Sequence, residues 1–183
     1  GARASLLAFK GDVYLGLDAQ TLSKRDFTWA QKRLRVLSGL YGLLRPLDRI
    51  HPYRLEMGTA LGNTAGKDLY EFWGGKVTQA LNEALAGQRS KVLINLASNE
   101  YYKVVPTHNI DGRIVTINFK EWRRDAYRFV SFSAKKARGL MARYMIDQRA
   151  ERADDLKAFD VEGYAFNEEL SSRDEWLFTR HIA

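Results

Sequence analysis

Cysteine is absent from the 183-residue chain, which excludes disulfides, thiol redox chemistry and cysteine-ligated zinc or iron–sulfur clusters. The three histidines, at positions 51, 108 and 181, lie too far apart in sequence to form a metal-ligand motif. No run of about 18 apolar residues is present to cross a membrane, and the apolar run at residues 6–9 is too short for a signal peptide. We therefore expect a cytoplasmic protein with no cofactor, no metal site and no membrane partner.

Positive charge is the most informative property that the chain does have. Lysine and arginine number 29 against 22 aspartates and glutamates, which gives a formal net charge of +7. The excess is local, because residues 120–143 hold eight cations and only two carboxylates, Glu121 and Asp125. A concentrated basic segment of this kind attracts polyanions, above all the phosphates of nucleic acid.

The segment at residues 131–144, SFSAKKARGLMARY, predicts a helix with a basic face. Alanine and methionine recur at helical spacing from residue 134 onward and are expected to form its buried stripe. Ser131 or Ser133 is the expected N-cap. The predicted DNA-binding residues are the cations of this helix and two arginines before it: Lys135, Lys136, Arg138, Arg143, Arg123 and Arg124. The alternative interpretation is an ordinary solvated helix face.

Strands alternate with helices along the chain, which is typical of an α/β or α+β domain. Strands are predicted at residues 6–9, 35–38, 91–96, 114–119, 127–132 and 175–180, and the main helices near 26–33, 68–86, 134–149 and 154–159. We expect residues 1–183 to form a single domain in which helices pack on one mixed sheet. The first predicted strand begins almost at residue 1, so we also expect this domain to lack an N-terminal part.

Two strand ends predict a ligand pocket, because ligands of open α/β sheets bind outside the carboxyl ends of the strands. Small and polar residues follow the strands at 35–38 and 91–96. The pocket residues predicted at these two ends are Ser38, Gly39, Tyr41, Gly42, Asn95, Ser98 and Glu100. Two other interpretations stay open. Ser98 with Glu100 would also cap a helix, and residues 37–44 loosely resemble the glycine hairpin of a helix-hairpin-helix module.

The proline-bounded loop at residues 45–57 predicts a further wall of this pocket. Its charged and aromatic residues, with two residues that follow the first predicted strand, complete the predicted pocket: Arg45, Tyr53, Arg54, Glu56, Lys10 and Asp12. A salt-bridge network around a rigid loop would explain the same residues. Glu56, Glu100 and Asp12 are the candidates for general acid or base chemistry.

Six motifs in one order give the chain a specific resemblance. They are FKGDVY at 9–14, LSGLYGLLRPLD at 37–48, PYRLEMG at 52–58, LYEFWG at 69–74, NLASNEY at 95–101 and SFSAKKARGLM at 131–141. Over essentially the whole chain, these residues resemble the YaaA family of bacterial peroxide-stress proteins. The resemblance implies a cytoplasmic protein of unusual α/β fold that protects against hydrogen peroxide and is linked to limiting free intracellular iron. It also implies DNA binding through a basic cleft with a helix-hairpin-helix-like element.

The chain departs from the pattern of this family in two places. The family's N-terminal segment, which carries a Ser-Pro-Ala-Lys motif, has no counterpart in these residues. Ser133 stands where the family usually has an aromatic residue, so one stacking contact is expected to be missing.

The main prediction is therefore a DNA-binding protein of the peroxide stress response. The cations are expected to hold the phosphate backbone, and Trp122 and Tyr127 to stack on an exposed or distorted base. No helix suited to reading base sequence is evident, so we expect recognition of DNA shape or damage with weak sequence preference. The alternative is an enzyme that acts on a nucleobase or nucleotide in the strand-end pocket. A cleft shared by the basic helix and the strand ends would favour chemistry on nucleic acid.

Overall fold

Four helices and two pairs of short strands make up the first half of the chain in the computed structural model, which describes residues 1–182. The helices are α1 (Ser5–Ala8), α2 (Asp12–Leu17), α3 (Lys24–Gln31) and α4 (Leu69–Ala86). The strands are β1 (Arg3–Ala4), β2 (Val36–Ser38), β3 (Gly42–Leu44) and β4 (Arg49–Ile50). β1 pairs with β4 and β2 pairs with β3, in both cases antiparallel.

A mixed sheet occupies the second half of the chain. Its strands are β5 (Val92–Asn95), β6 (Arg113–Arg123), β7 (Ala126–Arg128), β8 (Ala165–Phe166) and β9 (Glu175–His181). β6 is central, since it runs parallel to β5 on one side and parallel to β9 on the other. β8 continues the sheet antiparallel to β9, and β7 folds back antiparallel on the end of β6.

Two long helices pack on opposite faces of this sheet. After the short helix α5 (Asn99–Tyr102), α6 (Ser131–Gln148) packs Ala134 and Met141 against the face that carries Ile117. α4 packs Leu81 over the other face, near Ile114, as expected because neighbouring strand residues point to opposite faces. Short 3₁₀ segments complete the chain at Ala19–Thr21, Thr107–Asn109, Ala153–Ala158 and Val161–Gly163. The predicted fold class, a mixed sheet with helices packed on it, is confirmed.

Side-chain caps begin two of the helices that the sequence predicted. Ser23 accepts a hydrogen bond from the Asp26 amide while the Asp26 carboxylate accepts one from the Ser23 amide. Asp68 caps α4 in the same way by accepting from the Glu71 amide at 2.9 Å. These bonds satisfy N–H groups that the first turn of a helix leaves unpaired. α6 differs, because it follows Val130 with no side-chain cap, so the predicted serine caps of that helix are wrong.

Three predicted strands differ from the structure. Residues 6–9 include most of helix α1, because an apolar run of four residues does not distinguish a buried helix from a buried strand. Residues 127–132 contain the end of β7 and the start of α6. β2 lies outside the main sheet and forms an antiparallel hairpin with β3. Residues 37–44 are therefore not a helix-hairpin-helix, and Ser38 does not end a strand of the parallel sheet.

Two glycines allow α2 and α6 to cross in backbone contact. A Cβ atom on Gly16 would overlap the carbonyl oxygen of Lys136, and a Cβ atom on Gly139 would overlap the carbonyl oxygen of Val13. Each helix thus contributes one residue without a side chain at the point of closest approach. The crossing fixes the rotation of α6 about its axis, and with it the direction in which each cation of this helix points.

We expect Gly139→Ala to destabilise the protein by about 3 kcal/mol, or roughly 6 to 12 °C in Tm, because the new methyl group meets backbone atoms that cannot move away. Gly75→Ala, in the middle of α4, is the matched control, since a Cβ there meets no atom within 4 Å. The control should be stabilised by about 0.5 to 1 kcal/mol through helix propensity. Thermal unfolding of both variants, followed by circular dichroism, measures the difference, and equal Tm values would contradict the proposed backbone contact.

Candidate functional site

Two predicted DNA-binding cations of α6, Lys135 and Arg138, line a cavity that also borders α2 and β5. In the described part of the chain, the ion pairs of this helix involve other residues, and neither of these two side chains has a carboxylate partner. Burial lowers the pKa of the Arg138 guanidinium, because desolvation disfavours its charged form. An anion in the cavity would compensate both charges.

The other two predicted cations of α6 are engaged within the protein. Lys136 forms an ion pair with Glu162 at 3.1 Å. Arg143 donates to the carbonyl oxygens of Leu17 and Asp18, at 3.1 and 2.9 Å, and pairs with a carboxylate one turn further along α6. The bonds of Arg143 tie α6 to the carboxyl end of α2. The geometry favours a structural role for Arg143 over a contact with phosphate.

A tight hairpin between β6 and β7 presents three more arginines. Its two turn residues, Arg124 and Asp125, have φ angles of 51° and 64°, the left-handed pair that two-residue type I′ hairpins require. Arg128 closes the turn by donating to the carbonyl oxygens of residues 123 and 124, at 2.9 and 3.3 Å. Arg123 pairs with Glu121 at 2.8 Å. The predicted extension of the basic surface to residues 123 and 124 thus lies on a rigid turn.

A buried carboxylate connects this hairpin to the rest of the sheet. Glu121 is only 1% exposed and accepts hydrogen bonds from Arg180 and Arg123. Burial by itself would raise the pKa of Glu121, but hydrogen bonds from Arg180, Ser133 and Arg123 outweigh it, and the pKa is lowered. Glu121 therefore stays ionised and holds β6, β9 and the first turn of α6 together.

The cavity measures about 700 Å³ and lies beside the open edge of β5. Apolar side chains of β5, α4, α2 and α6 form much of its wall. Polar side chains enter it where β5 ends and from the loops nearby. The predicted pocket residues that line it are Lys10, Tyr53, Asn95, Ser98 and Glu100. The basic helix and the end of β5 therefore line one cavity.

Internal hydrogen bonds fix the polar residues after β5. Asn95 is buried, accepts from the Ala97 amide at 3.0 Å and donates to Thr116 at 3.3 Å. Ser98 is the N-cap of α5, so its predicted capping role is confirmed although it also lines the cavity. The Glu100 carboxylate accepts from the Gly58 amide at 3.0 Å. These groups are held rigidly, and part of their hydrogen-bonding capacity is already used.

The other predicted pocket residues lie outside the cavity lining. Ser38 bonds to the Tyr53 hydroxyl and accepts from the Tyr41 amide at 3.0 Å, so it supports the cavity wall from behind. The remaining residues stabilise the turn after β2, the loop before α4 or the start of α2: Gly39, Gly42, Arg45, Arg54, Glu56 and Asp12. Of these, Arg45 pairs with Asp48 at 3.0 Å and Arg54 with Glu56 at 3.7 Å. Two separate ion pairs thus involve the charged residues at positions 45, 48, 54 and 56.

Tyr14 and Tyr101 line the same cavity and were missed by the sequence analysis. Burial, and then the nearby hydroxyls of Tyr53 and Tyr101, raise the pKa of Tyr14. Phe9 stacks on Tyr14 with ring centroids 5.3 Å apart and meets Tyr53 edge-on at 6.1 Å. The cavity therefore has an aromatic wall. Both tyrosines belong to the motifs at 9–14 and 95–101, which was the signal available in the sequence.

Residues 1–182 were also compared with the requirements of a membrane-spanning helix and of a metal site. None of the described helices combines the length and the apolar character needed to cross a membrane. The described histidine, aspartate and glutamate side chains form no group of three or more that is arranged to hold a metal ion.

Comparison with known proteins gives consistent matches along the chain. The family described as "Peroxide stress protein YaaA" matches residues 2–170. UPF0246 proteins of Shewanella sp. (strain MR-4) and Alteromonas mediterranea are 55% identical over 179 residues and 56% identical over 180 residues. A UPF0246 protein of Cellvibrio japonicus is 52% identical over 179 residues. Each alignment covers 98% of this chain and 69 or 70% of the relative.

We expect Glu121→Gln to destabilise the protein by about 3 kcal/mol at pH 7, because it removes a buried charge that pairs with Arg180 and Arg123 and leaves Arg180 only the more distant Glu162, at 3.9 Å. Since the folded pKa of Glu121 is lowered, its contribution to stability is complete above the unfolded value of about 4.3 and disappears as pH falls through the folded pKa. Urea unfolding at pH 7 and at decreasing pH should therefore show the difference between wild type and variant shrinking in acid.

The matched control for this prediction is Glu169→Gln, which makes the same change at an exposed loop residue. It should alter the free energy of unfolding by no more than about 0.5 kcal/mol at either pH. A difference between Glu121→Gln and wild type that stays constant below pH 4 would contradict the assigned ionisation of Glu121.

Proposed function

Since the chain belongs to the peroxide stress protein YaaA family, we propose that it protects against hydrogen peroxide as a DNA-binding protein, in a response linked to limiting free iron. One observation carries this proposal. Among the described residues, five cations of the basic segment have no carboxylate partner: Lys120, Arg124, Arg128, Lys135 and Arg138. These 183 residues hold no thiolate to reduce peroxide, so the proposed protection acts on the DNA.

The packing of α6 supports contact with the DNA backbone and weak reading of sequence. One side of the helix lies against the sheet through Ala134 and Ala137, and another lies against α2 through Gly139. Only the remaining side of the helix is open to DNA, and its cations are charges suited to phosphates. Its free cations can still reach phosphates, which position a protein on DNA without specifying the sequence.

We expect duplex DNA of unrelated sequences to bind with similar affinity and with strong salt dependence. If about four cations contact phosphates, log K should fall against log salt with a slope of about −3 to −4. The double variant K135A/R138A should weaken all duplexes alike and reduce the magnitude of the slope by about two. Fluorescence anisotropy with labelled duplexes at several salt concentrations measures both quantities.

Arg173→Ala is the matched control for charge. This exposed arginine precedes β9, at the far end of the sheet from the hairpin, roughly 30 Å away by the rise of a strand. It removes one positive charge without touching the proposed surface, so affinity and slope should change little. A flat salt dependence of the wild type, or equal losses in the control and the double variant, would refute DNA binding by this surface.

The cavity supports a second candidate function, an enzyme acting on a nucleobase or nucleotide. The specific observation in its favour is that Lys135 and Arg138 line the same cavity as Asn95, Ser98 and Glu100. The aromatic wall offers a surface on which a base can stack, and the cations offer a site for phosphate. Two carboxylates line the cavity, Glu100 and Glu151, and Glu151 pairs with Arg33. Glu100, which lies beside Ser98, is the candidate general base.

For this second function we expect a nucleoside monophosphate to bind with a stoichiometry of one. Arg138→Gln should weaken binding at least about tenfold, because it removes a charge-assisted hydrogen bond worth about 1.5 to 3 kcal/mol. Arg124→Gln on the hairpin is the control and should leave nucleotide affinity unchanged. Isothermal titration with each of the common nucleoside monophosphates tests the idea, and absence of binding by all of them would rule out a nucleotide site in this cavity.

A further inference from the structure

Beyond the part that α4 covers, the sheet exposes a group of aromatic rings on the face opposite α6. Side chains alternate along β6, so Phe119 and Glu121 point toward α6 while Lys120 and Trp122 point to the opposite face. Tyr127 on β7 and His181 on β9 are the direct strand neighbours of Trp122. We call Trp122, Tyr127 and His181 the aromatic patch. Trp122 is 38% exposed, so part of its ring is open to a ligand.

The rings of the aromatic patch hold one another in place. Trp122 and His181 stack with centroids 5.2 Å apart and planes inclined by 14°. Tyr127 meets both rings edge-on, at 5.0 and 5.6 Å, and its hydroxyl lies 3.1 Å from Nε2 of His181. This arrangement is formed before any ligand binds, so little side-chain entropy would be lost when another planar group stacks on the exposed part of the indole.

The surroundings of the aromatic patch carry positive charge. Lys120 shares its face of β6, and Arg124 lies in the hairpin turn beside it. Arg123 and Arg128 belong to the other face, since Arg123 pairs with Glu121 and Arg128 is the strand neighbour of Glu121. Of the two carboxylates in residues 120–143, Glu121 points to the other face and is neutralised by Arg180 and Arg123. Asp125 is thus the remaining acid at the surface of this segment. A ligand that combines planar rings with negative charge fits both properties.

We propose that the aromatic patch binds unpaired bases of single-stranded DNA, while the neighbouring cations hold the phosphates of the same strand. In a duplex, the faces of the bases are covered by their neighbours, so only an unpaired base offers a face to Trp122. An apolar protein partner would not need the cations around the patch, and a duplex would not need the rings. The inference rests on the DNA-binding function proposed above and specifies the form of DNA recognised at this surface.

The test compares one labelled oligothymidylate of about 12 nucleotides with one labelled 20-base-pair duplex, by fluorescence anisotropy at low salt. Trp122→Ala should weaken binding of the oligothymidylate about tenfold, since stacking of one base contributes about 1 to 3 kcal/mol. The same variant should change duplex affinity less than about twofold. Leu40→Ala is the control, because it removes an apolar side chain of similar exposure (45%) from the turn between β2 and β3 and should affect neither ligand.

Two further measurements keep the test independent of any folding defect. Trp122→Phe keeps a ring at the position and should retain oligothymidylate affinity within about threefold, while the quenching of tryptophan fluorescence by this ligand should be lost. An abasic oligonucleotide of the same length keeps the phosphates but offers no base. Wild type should bind it as weakly as Trp122→Ala binds the oligothymidylate, and Trp122→Ala should weaken the abasic ligand no further.

The outcomes separate this inference from the function on which it rests. Failure of the wild type to bind duplex at any salt concentration would overturn the proposed DNA binding by the cations of α6. Normal duplex binding with no binding of the oligothymidylate, or equal losses of both ligands in Trp122→Ala, would overturn the aromatic patch alone. Quenching that persists in Trp122→Phe would also overturn it, because another tryptophan would then report the contact.

Discussion

The close crossing of α2 and α6 is the constraint on which the candidate site depends. Gly16 and Gly139 bring the two backbones into contact, and the alanines of α6 face the sheet, so the helix cannot rotate about its axis. Each residue of a helix advances by about 100°, and neighbouring cations therefore meet different surroundings. Lys135 lines the cavity, whereas Lys136, the next residue, pairs with Glu162. The functional distinction among these cations is a consequence of backbone packing and does not follow from their chemical type.

The buried carboxylate of Glu121 has a similar effect on the sheet. It is bound by Arg180 and Arg123 on the face that α6 covers, and its neighbour Trp122 is thereby directed to the opposite face. Because this carboxylate is already neutralised, it does not offset the cations at the surface of the basic segment. Desolvating the ion pair costs free energy, and such pairs contribute little net stability compared with apolar packing. What Glu121 provides is a fixed position for the hairpin relative to α6 and β9.

The sequence predicted those elements whose signals are local. α4 follows from the helical periodicity of its apolar residues and β5 from a six-residue segment that is mostly apolar, and the basic helix follows from its apolar stripe. The run at residues 6–9 was assigned wrongly because its length fits both a strand and a helix. At the candidate site, the sequence showed how many cations residues 120–143 hold, but it did not show which groups these cations contact in the fold. Arg143 is engaged by carbonyl groups more than 120 residues away in the chain, and a contact of that kind leaves no local pattern.

The sheet divides the cations of the basic segment between two surfaces. These two surfaces meet at the β6–β7 hairpin. Lys135 and Arg138 lie on the side of α6 and its cavity, and Lys120 lies with the aromatic patch on the opposite face. A uniform duplex about 20 Å wide would contact one of these surfaces through its phosphates and gain nothing from the rings. A DNA in which a duplex continues into an unpaired strand offers phosphates to the first surface and free base faces to the second. The arginines of the hairpin lie between these two surfaces. A DNA molecule that reaches from one surface to the other would therefore contact positive charge along its whole path. The two proposed binding modes then describe one ligand, DNA that is locally unpaired, as it is where damage or repair has opened the duplex.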